Sequence, residues 1–342
     1  MSQARSAQAT QPTVSIRQVR QAMQGATRRG VNEAWLLHQA GIAPLLVDSP
    51  LSRITVAQYA RLLTLLRRVT RDELWGLCAT PLPVGSFAQV IRHVLHARTL
   101  GDAMRQAFTQ YHLLLGQFVP RLRVQGGVAA VRMVTRGPRD EALDYAERVF
   151  GYFCYGVICW LVARRVPMLR VVYAGGHSGG GSDAEQLYHA PLQLDMSYSG
   201  FDFDAQWLDL PVVQTASSLH EFLRASPSAL ITKYREQGRL ADRVRRLLRN
   251  RIAHTLPDLK DAARLLGMAS PTLRRHLSQE GTSFQQLKDE LRRDAAIALL
   301  ARPELSLLDI GLRLGFSEAS TFHRAFKTWT GVTPGVYRHA HL

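Results

Sequence analysis

The chain has 342 residues, of which 46% are hydrophobic and 20% charged, with a formal net charge of +16. Its length suits two domains better than one, and a composition that can bury a sizeable core excludes a disordered chain. The charge favours a polyanionic partner, nucleic acid or an anionic surface. Nearly all the basic residues are arginine, however, a bias that codon usage alone also produces, so charge raises that expectation only modestly.

Residues 1–15 are rich in Ser, Gln, Ala and Thr and read as a disordered tail without the apolar run of a signal peptide. Helical spacing then dominates to about residue 117, as in Tyr59, Leu62, Leu63 and Leu66, with Pro81 and Pro83 interrupting it. Phe118 to Val124 and Val128 to Val134 alternate apolar and polar residues around Gln125-Gly126-Gly127, a hairpin signal. A helix follows from about Glu141 to Arg165. Its most apolar run, Val149 to Ala163, falls short of the ~20 residues of a membrane span. Met168 to Tyr173, Pro191 to Asp195 and Phe201 to Phe203 read as short strands around a glycine-rich loop from Gly175 to Gly181. Beyond about residue 215 every segment reads as helix. Residues 226–240 form a candidate linker, and Arg239 to Arg251 an amphipathic helix with Leu240, Val244, Leu247 and Leu248 on one side. Residues 239–342 hold 18 Lys/Arg against 10 Asp/Glu, so the basic density is concentrated at this end. Three cysteines, Cys78, Cys154 and Cys159, make no disulfide framework and suit a reducing cytoplasm.

The C-terminal region repeats itself imperfectly. Asp261 to Gly267 and Asp309 to Gly315 each read as a short helix ended by a glycine suited to a left-handed turn. A second helix follows in each copy, with Ser270-Pro271 expected to open one and Ser317 the other. Leu273 and Leu277 would bury together in the first, leaving Arg274, Arg275 and Ser278 outward. Phe322 and Phe326 would bury in the second, leaving Ser320, His323, Arg324 and Lys327 outward. This is the grammar of two helix-turn-helix units. Arginine can bond a guanine edge bidentately, and Ser, Thr and His can reach bases or phosphates. Any amphipathic helix has a charged outer face, but two copies with matching glycine, cap and apolar positions argue for more. Between them, Ser283 to Gln286 is a capping signature for a helix running to about Ala301, long enough to hold two recognition helices near successive major grooves.

Gly267-Met268, Arg275, Gly281-Thr282-Ser283-Phe284, Asp309-Ile310, Gly315-Phe316-Ser317, Phe322 to Lys327, and Thr330 to Pro334 with Arg338 resemble the AraC/XylS family of transcription regulators over about residues 239–338. Thr99 to Ala103, Tyr111-His112 near Leu114-Leu115, and Leu208 to Pro211 resemble, more weakly, the arabinose-binding-like N-terminal domain of a subset of that family. One departure is Ala269, where this subset usually has a Ser followed by Pro. It leaves open whether Pro271 or Thr272 faces DNA. The resemblance implies double-stranded DNA binding through both units and activation through RNA polymerase. It also implies an N-terminal domain that senses a small molecule or mediates homodimerisation.

The expected architecture is an α+β sensor domain, helices with a small antiparallel sheet, followed by an all-α domain of two helix-turn-helix units joined by a long helix. The expected boundaries are a tail at 1–15, a sensing or dimerisation domain at 16–225, a linker at 226–238 and a DNA-binding domain at 239–342. The residues expected to contact DNA are Ser270, Thr272, Arg274, Arg275, Ser320, His323, Arg324 and Lys327. Tyr111, His112 and Tyr152 are candidates for lining an effector pocket. No metal, cofactor or catalytic residue is expected. Gly176 to Gly180 matches the G-x-S-x-G nucleophile elbow, but its flanking glycines suggest a loose loop and no partner triad is evident. His93 and His96 lack a third ligand at a suggestive spacing, and Cys154 and Cys159 read as small buried apolar residues.

Overall fold

The computed structural model describes residues 13–175, 190–226, 240–252 and 256–339. The Gly176–Gly180 segment and the expected linker after Ser226 lie outside the described residues. The first four helices are α1 (Ile16–Arg28), α2 (Glu33–Ala40), α3 (Pro44–Val47) and α4 (Val56–Thr70).

The chain divides into two compact units, and each is interleaved in sequence. One comprises Gln21–Leu36 and Leu63–Arg235. Here α5 (Ser86–Val94), α6 (Leu100–Leu114) and α7 (Glu141–Leu161) accompany a five-stranded sheet. Its strands are β3 (Phe118–Gln125), β4 (Val128–Thr135), β5 (Met168–Ala174), β6 (Leu192–Met196) and β7 (Ser199–Asp204). The order is β3-β4-β7-β5-β6, antiparallel except for the parallel pair β5–β6. The hairpin register runs from Phe118 opposite Thr135 to Gln125 opposite Val128, as the alternation around the two glycines requires. Helix α7 buries Phe150 and Tyr155, whose rings meet Phe118 at 5.4 Å and Phe201 at 6.3 Å edge-on. Gly200 lies so close to β4 that an added Cβ would sit 2.0 Å from the Val131 carbonyl oxygen. Helix α8 (Ala216–Ala225) completes the described part of this unit. Its N-cap Thr215 and Ser218 form a reciprocal capping box.

The other unit comprises Met1–Arg20, Leu37–Leu62 and Glu236–Leu342. This division differs from the expected cut near residue 226, because two N-terminal segments belong with the C-terminal helices. Thr13–Ser15, expected as the end of a tail, form β1 and pair antiparallel with β2 (Arg53–Thr55). The C-terminal helices are α9 (Leu240–Arg249), α10 (Leu259–Leu265), α11 (Ser270–Gln279), α12 (Phe284–Leu300), α13 (Leu307–Arg313), α14 (Ala319–Thr330) and α15 (Pro334–His339). The Thr13 hydroxyl donates to Asp294 of α12 at 2.7 Å. The Ser49 and Ser52 hydroxyls donate to the Thr330 carbonyl at 3.0 and 3.2 Å. The Tyr337 hydroxyl donates to the Arg53 carbonyl at 2.7 Å. Tyr337 is fully buried, its ring edge-on to Phe326 at 5.5 Å. The two serine bonds close the Thr330 carbonyl at the end of α14, while the Thr13 and Tyr337 bonds tie β1 and β2 to α12 and α15; together they clasp the N-terminal segments onto the C-terminal helices.

Candidate DNA interface and sensor cavity

Helices α11 and α14 are reached through the same backbone turn. Gly267 and Gly315 adopt φ of 72° and 77°, the left-handed region that costs glycine nothing. Their N–H groups donate to the Arg264 and Leu312 carbonyls at 3.1 and 3.0 Å. The next N–H groups, of Met268 and Phe316, donate to Ala263 and Gly311, both at 3.0 Å. This double closure satisfies the carbonyls left over when α10 and α13 end. Both supporting helices are side-chain capped, α10 by Asp258 and α13 by Ser306 in a reciprocal box with Asp309.

The recognition helices start differently from expectation. The N-cap of α11 is Ala269, not Ser270, and that of α14 is Glu318, not Ser317; neither makes a side-chain cap bond. Ser270 is instead the first helical residue of α11, where its hydroxyl can no longer reach the N–H groups ahead of it. In α14 an extended Glu318 takes the cap position, and the Ser320 hydroxyl bonds back to its carboxylate at 3.1 Å. The long helix α12 does open as read, with Ser283 accepting from the Gln286 N–H at 3.2 Å.

The outer faces match the periodicity. Leu273, Leu277, Phe322 and Phe326 are fully buried, while Arg274, Arg275, Ser278, Ser320, Arg324 and Lys327 are exposed. Ser270 and Thr272 are half-buried, as is His323, whose ring lies edge-on to Phe322 at 5.9 Å. Counted from the first helical residue, Arg275 and Arg324 occupy the same position in their helices, as do Thr272 and Thr321. Thr321, which the sequence places on a helix face with at most a minor role at DNA, is exposed. Among the described residues none of Arg274, Arg275, Arg324 and Lys327 pairs with a carboxylate, so four unneutralised cations stand on these faces.

Two positioning residues were not foreseen. Arg292 of α12 donates through Nε to the Leu314 carbonyl at 3.0 Å and stacks on Phe316 at 4.8 Å, fixing the second glycine turn to the long helix. Glu280, at the end of α11, accepts from the Leu240 and Ala241 N–H groups, both at 2.9 Å, and so caps α9. A lone Arg or Glu on a helix carries no sequence signal for such a bond.

The unit built on the five-stranded sheet contains a cavity of about 320 Å³. Its deep wall includes Met104, Phe108, Tyr111, Phe150 and Ile158, all buried; Thr64, Arg67 and Val84 stand exposed at its opening. Of the three candidate lining residues only Tyr111 borders it. His112 turns away, its Nε2 3.0 Å from the Pro120 carbonyl, and Tyr152 lies on another face of α7 with its ring 6.0 Å from Phe153. The lining residues that the sequence did not reveal include Trp75, Phe87, Phe153 and Glu73. The Glu73 carboxylate accepts from the Gly85 and Phe87 N–H groups at 2.8 and 2.7 Å, at the start of α5. Burial raises its pKa above the usual carboxylate value, against the lowering by those two bonds and by Arg67. Cys154, also in the wall, and Cys159 are free thiols, and burial pushes Cys159 up to about 11. His93 and His96 are exposed, and no group of three or more His, Cys, Asp or Glu gathers to hold a metal among the described residues. No described helix is long and apolar enough to cross a membrane.

Paired helix-turn-helix units with a separate cavity-bearing unit define a DNA-binding transcription regulator with a sensor domain. Residues 30–212 match the family model for the arabinose-binding domain of AraC transcription regulators, and residues 262–340 match a helix-turn-helix domain. The chain belongs to the AraC family. It is 29% identical over 317 residues to the ornithine utilization regulator of Pseudomonas aeruginosa, covering 91% of this chain and 92% of that one. It is 35% identical over 203 residues to the regulator VqsM of the same species, covering 59% of this chain and 62% of the other. The crystal structure of the regulator CdpR, also from Pseudomonas aeruginosa, aligns over 81% of this chain and 96% of its own at a TM-score of 0.34 and 22% identity.

Proposed function

We propose that this protein is a ligand-responsive transcription activator that lays α11 and α14 in successive major grooves of double-stranded DNA. The observation that carries the reading is the shared register of Arg275 and Arg324, each exposed, unpaired among the described residues, and set in a helix that follows a glycine turn closed by the same pair of backbone bonds. Ser270, Thr272, Arg274, Ser320, His323 and Lys327 supply the neighbouring base and phosphate contacts. Helix α12, with 17 residues, spans roughly 26 Å, less than the ~34 Å of one duplex turn, so the bound DNA bends. The effector enters the cavity beside Tyr111, activation proceeds through contact with RNA polymerase, and a homodimer is the assembly that reads repeated sites. The protein works in the cytoplasm and carries out no catalytic step.

The test begins with duplexes selected by the protein from a random library. Footprinting at fixed salt then compares the parent with Arg324→Ala and Arg275→Ala. Each variant should lose about 1–3 kcal/mol of discrimination at one base pair, and relax preference there while weakening other sequences less. Full retention of sequence preference by Arg324→Ala would overturn the assignment of α14.

A further inference from the structure

We propose that the cavity takes an effector of one chemical class: a compact, uncharged, mostly hydrocarbon molecule with a single hydrogen-bonding group that meets the Tyr111 hydroxyl. This deepens the proposed function and rests on its reading that the effector enters this cavity.

Size sets the first limit. About 320 Å³ lies at the small end of the range of ligand pockets, so the molecule is compact. The walls set the second. Trp75, Phe87, Phe108, Phe150 and Phe153 line it with rings, with Trp75 and Phe87 each 6.3 Å from Phe153. Such a surface gains from covering hydrocarbon, and aromatic hydrocarbon especially.

Charge sets the third limit. The ionisable groups in the wall are Arg67, Glu73, Tyr111 and Cys154. Arg67 is exposed at the opening. Both Glu73 oxygens already hold backbone N–H groups, and the field of Arg67 opposes a second cation beside them. Burial pushes the Tyr111 phenol and the Cys154 thiol upward, so both stay neutral at physiological pH. A carboxylate carried among the rings would find no cation there, and an ammonium only the Glu73 carboxylate, whose charge the Gly85 and Phe87 N–H groups and Arg67 already offset; a poorly paired buried charge is costly. One polar group does want a partner. Tyr111 is 5% exposed, its ring is held edge-on to Phe150 at 4.8 Å, and its hydroxyl has no hydrogen-bond partner among the described residues. A ligand carbonyl or hydroxyl there satisfies it.

Calorimetric titration of the full chain with four probes of one size tests the class: benzylacetone (neutral, one carbonyl), butylbenzene (no polar group), phenylbutyrate (anion) and phenylbutylamine (cation). Benzylacetone should bind at least tenfold more tightly than either charged probe. Tyr111→Phe should weaken benzylacetone about three- to tenfold, the range of one hydrogen bond, and leave butylbenzene unchanged. Ala107→Trp, which fills the cavity, should abolish binding of both neutral probes, with Val157→Trp as the second filling variant should the first not fold. The class is overturned if a charged probe matches benzylacetone, if benzylacetone fails to bind, or if Tyr111→Phe leaves its affinity intact. Probe binding that survives in a folded filling variant overturns instead the reading that this cavity is the effector site.

Discussion

Removing one oxygen from Tyr337 tests whether residues 37–62 hold together with the C-terminal helices. The ring is fully buried against Phe326, and its hydroxyl donates to the Arg53 carbonyl at 2.7 Å. Tyr337→Phe keeps the ring and its edge-on contact, so no cavity term enters, and deletes only the donor. The made bond is worth about 0.5–1.5 kcal/mol net, and a carbonyl left dry raises the loss to about 1–3 kcal/mol. Arg53 is half-buried, so water recovers part of its carbonyl's demand, and we expect about 1–2 kcal/mol by the same reasoning. At ~2–4 °C per kcal/mol for a unit of this size, the melting point should fall by roughly 2–8 °C. Differential scanning calorimetry of the full chain reads the shift. Adding a selected duplex identifies the transition that belongs to the DNA-binding helices, because bound DNA raises it. A shift below about 1 °C in that transition, on the scale of the same conversion, would refute the clasp as an energetic contact.

Asp294 sets a pH dependence in the same unit. Burial alone would raise its pKa, but Arg293, Arg53 and the Thr13 hydroxyl together hold it below 3.8. A depressed carboxyl contributes stability above its unfolded value and loses it as pH falls through the folded one. Asp294→Asn should therefore melt lower than the parent at pH ~7, with the gap closing below pH ~4 in a series of thermal melts. Arg292→Met keeps the stem but loses the bond to Leu314 and the stack on Phe316. Operator binding should weaken about tenfold, ~1.4 kcal/mol, with unchanged base preference in a titration over several sequences. Gly200→Ala forces a Cβ onto the Val131 carbonyl, and urea unfolding should show a loss above about 2 kcal/mol. Gly335→Ala, with nothing within 4 Å, should stay within ~0.5 kcal/mol in the same assay.

What the sequence made legible was local. The β3–β4 hairpin follows from alternation around adjacent glycines, and both left-handed turns follow from single glycines after short apolar helices. Phe322 and Phe326 were readable because four-residue spacing puts them on one side of any helix. The misses were non-local or competitive. Ser317 is an intrinsically good cap, yet the extended backbone at Glu318 determines where α14 begins. His112 and Tyr152 flank true lining residues one position away, and only the packing of α6 and α7 decides which side of each helix meets the cavity. A three-residue strand such as β1 has too little pattern to announce itself, and its partner lies some forty residues on.

The clasp on α14 also sets a timetable. Ser49 precedes the Thr330 carbonyl it closes by 281 residues. At roughly 5–20 residues per second, synthesis separates the two by about 15–55 s. Through that interval Ser49, Ser52 and the Arg53 carbonyl wait without their C-terminal partners. The first helix-turn-helix needs no such delay, since Glu280 caps α9 from only 40 residues away. The helix that carries Arg324 thus completes these contacts only once Thr330 and Tyr337 have both been synthesised.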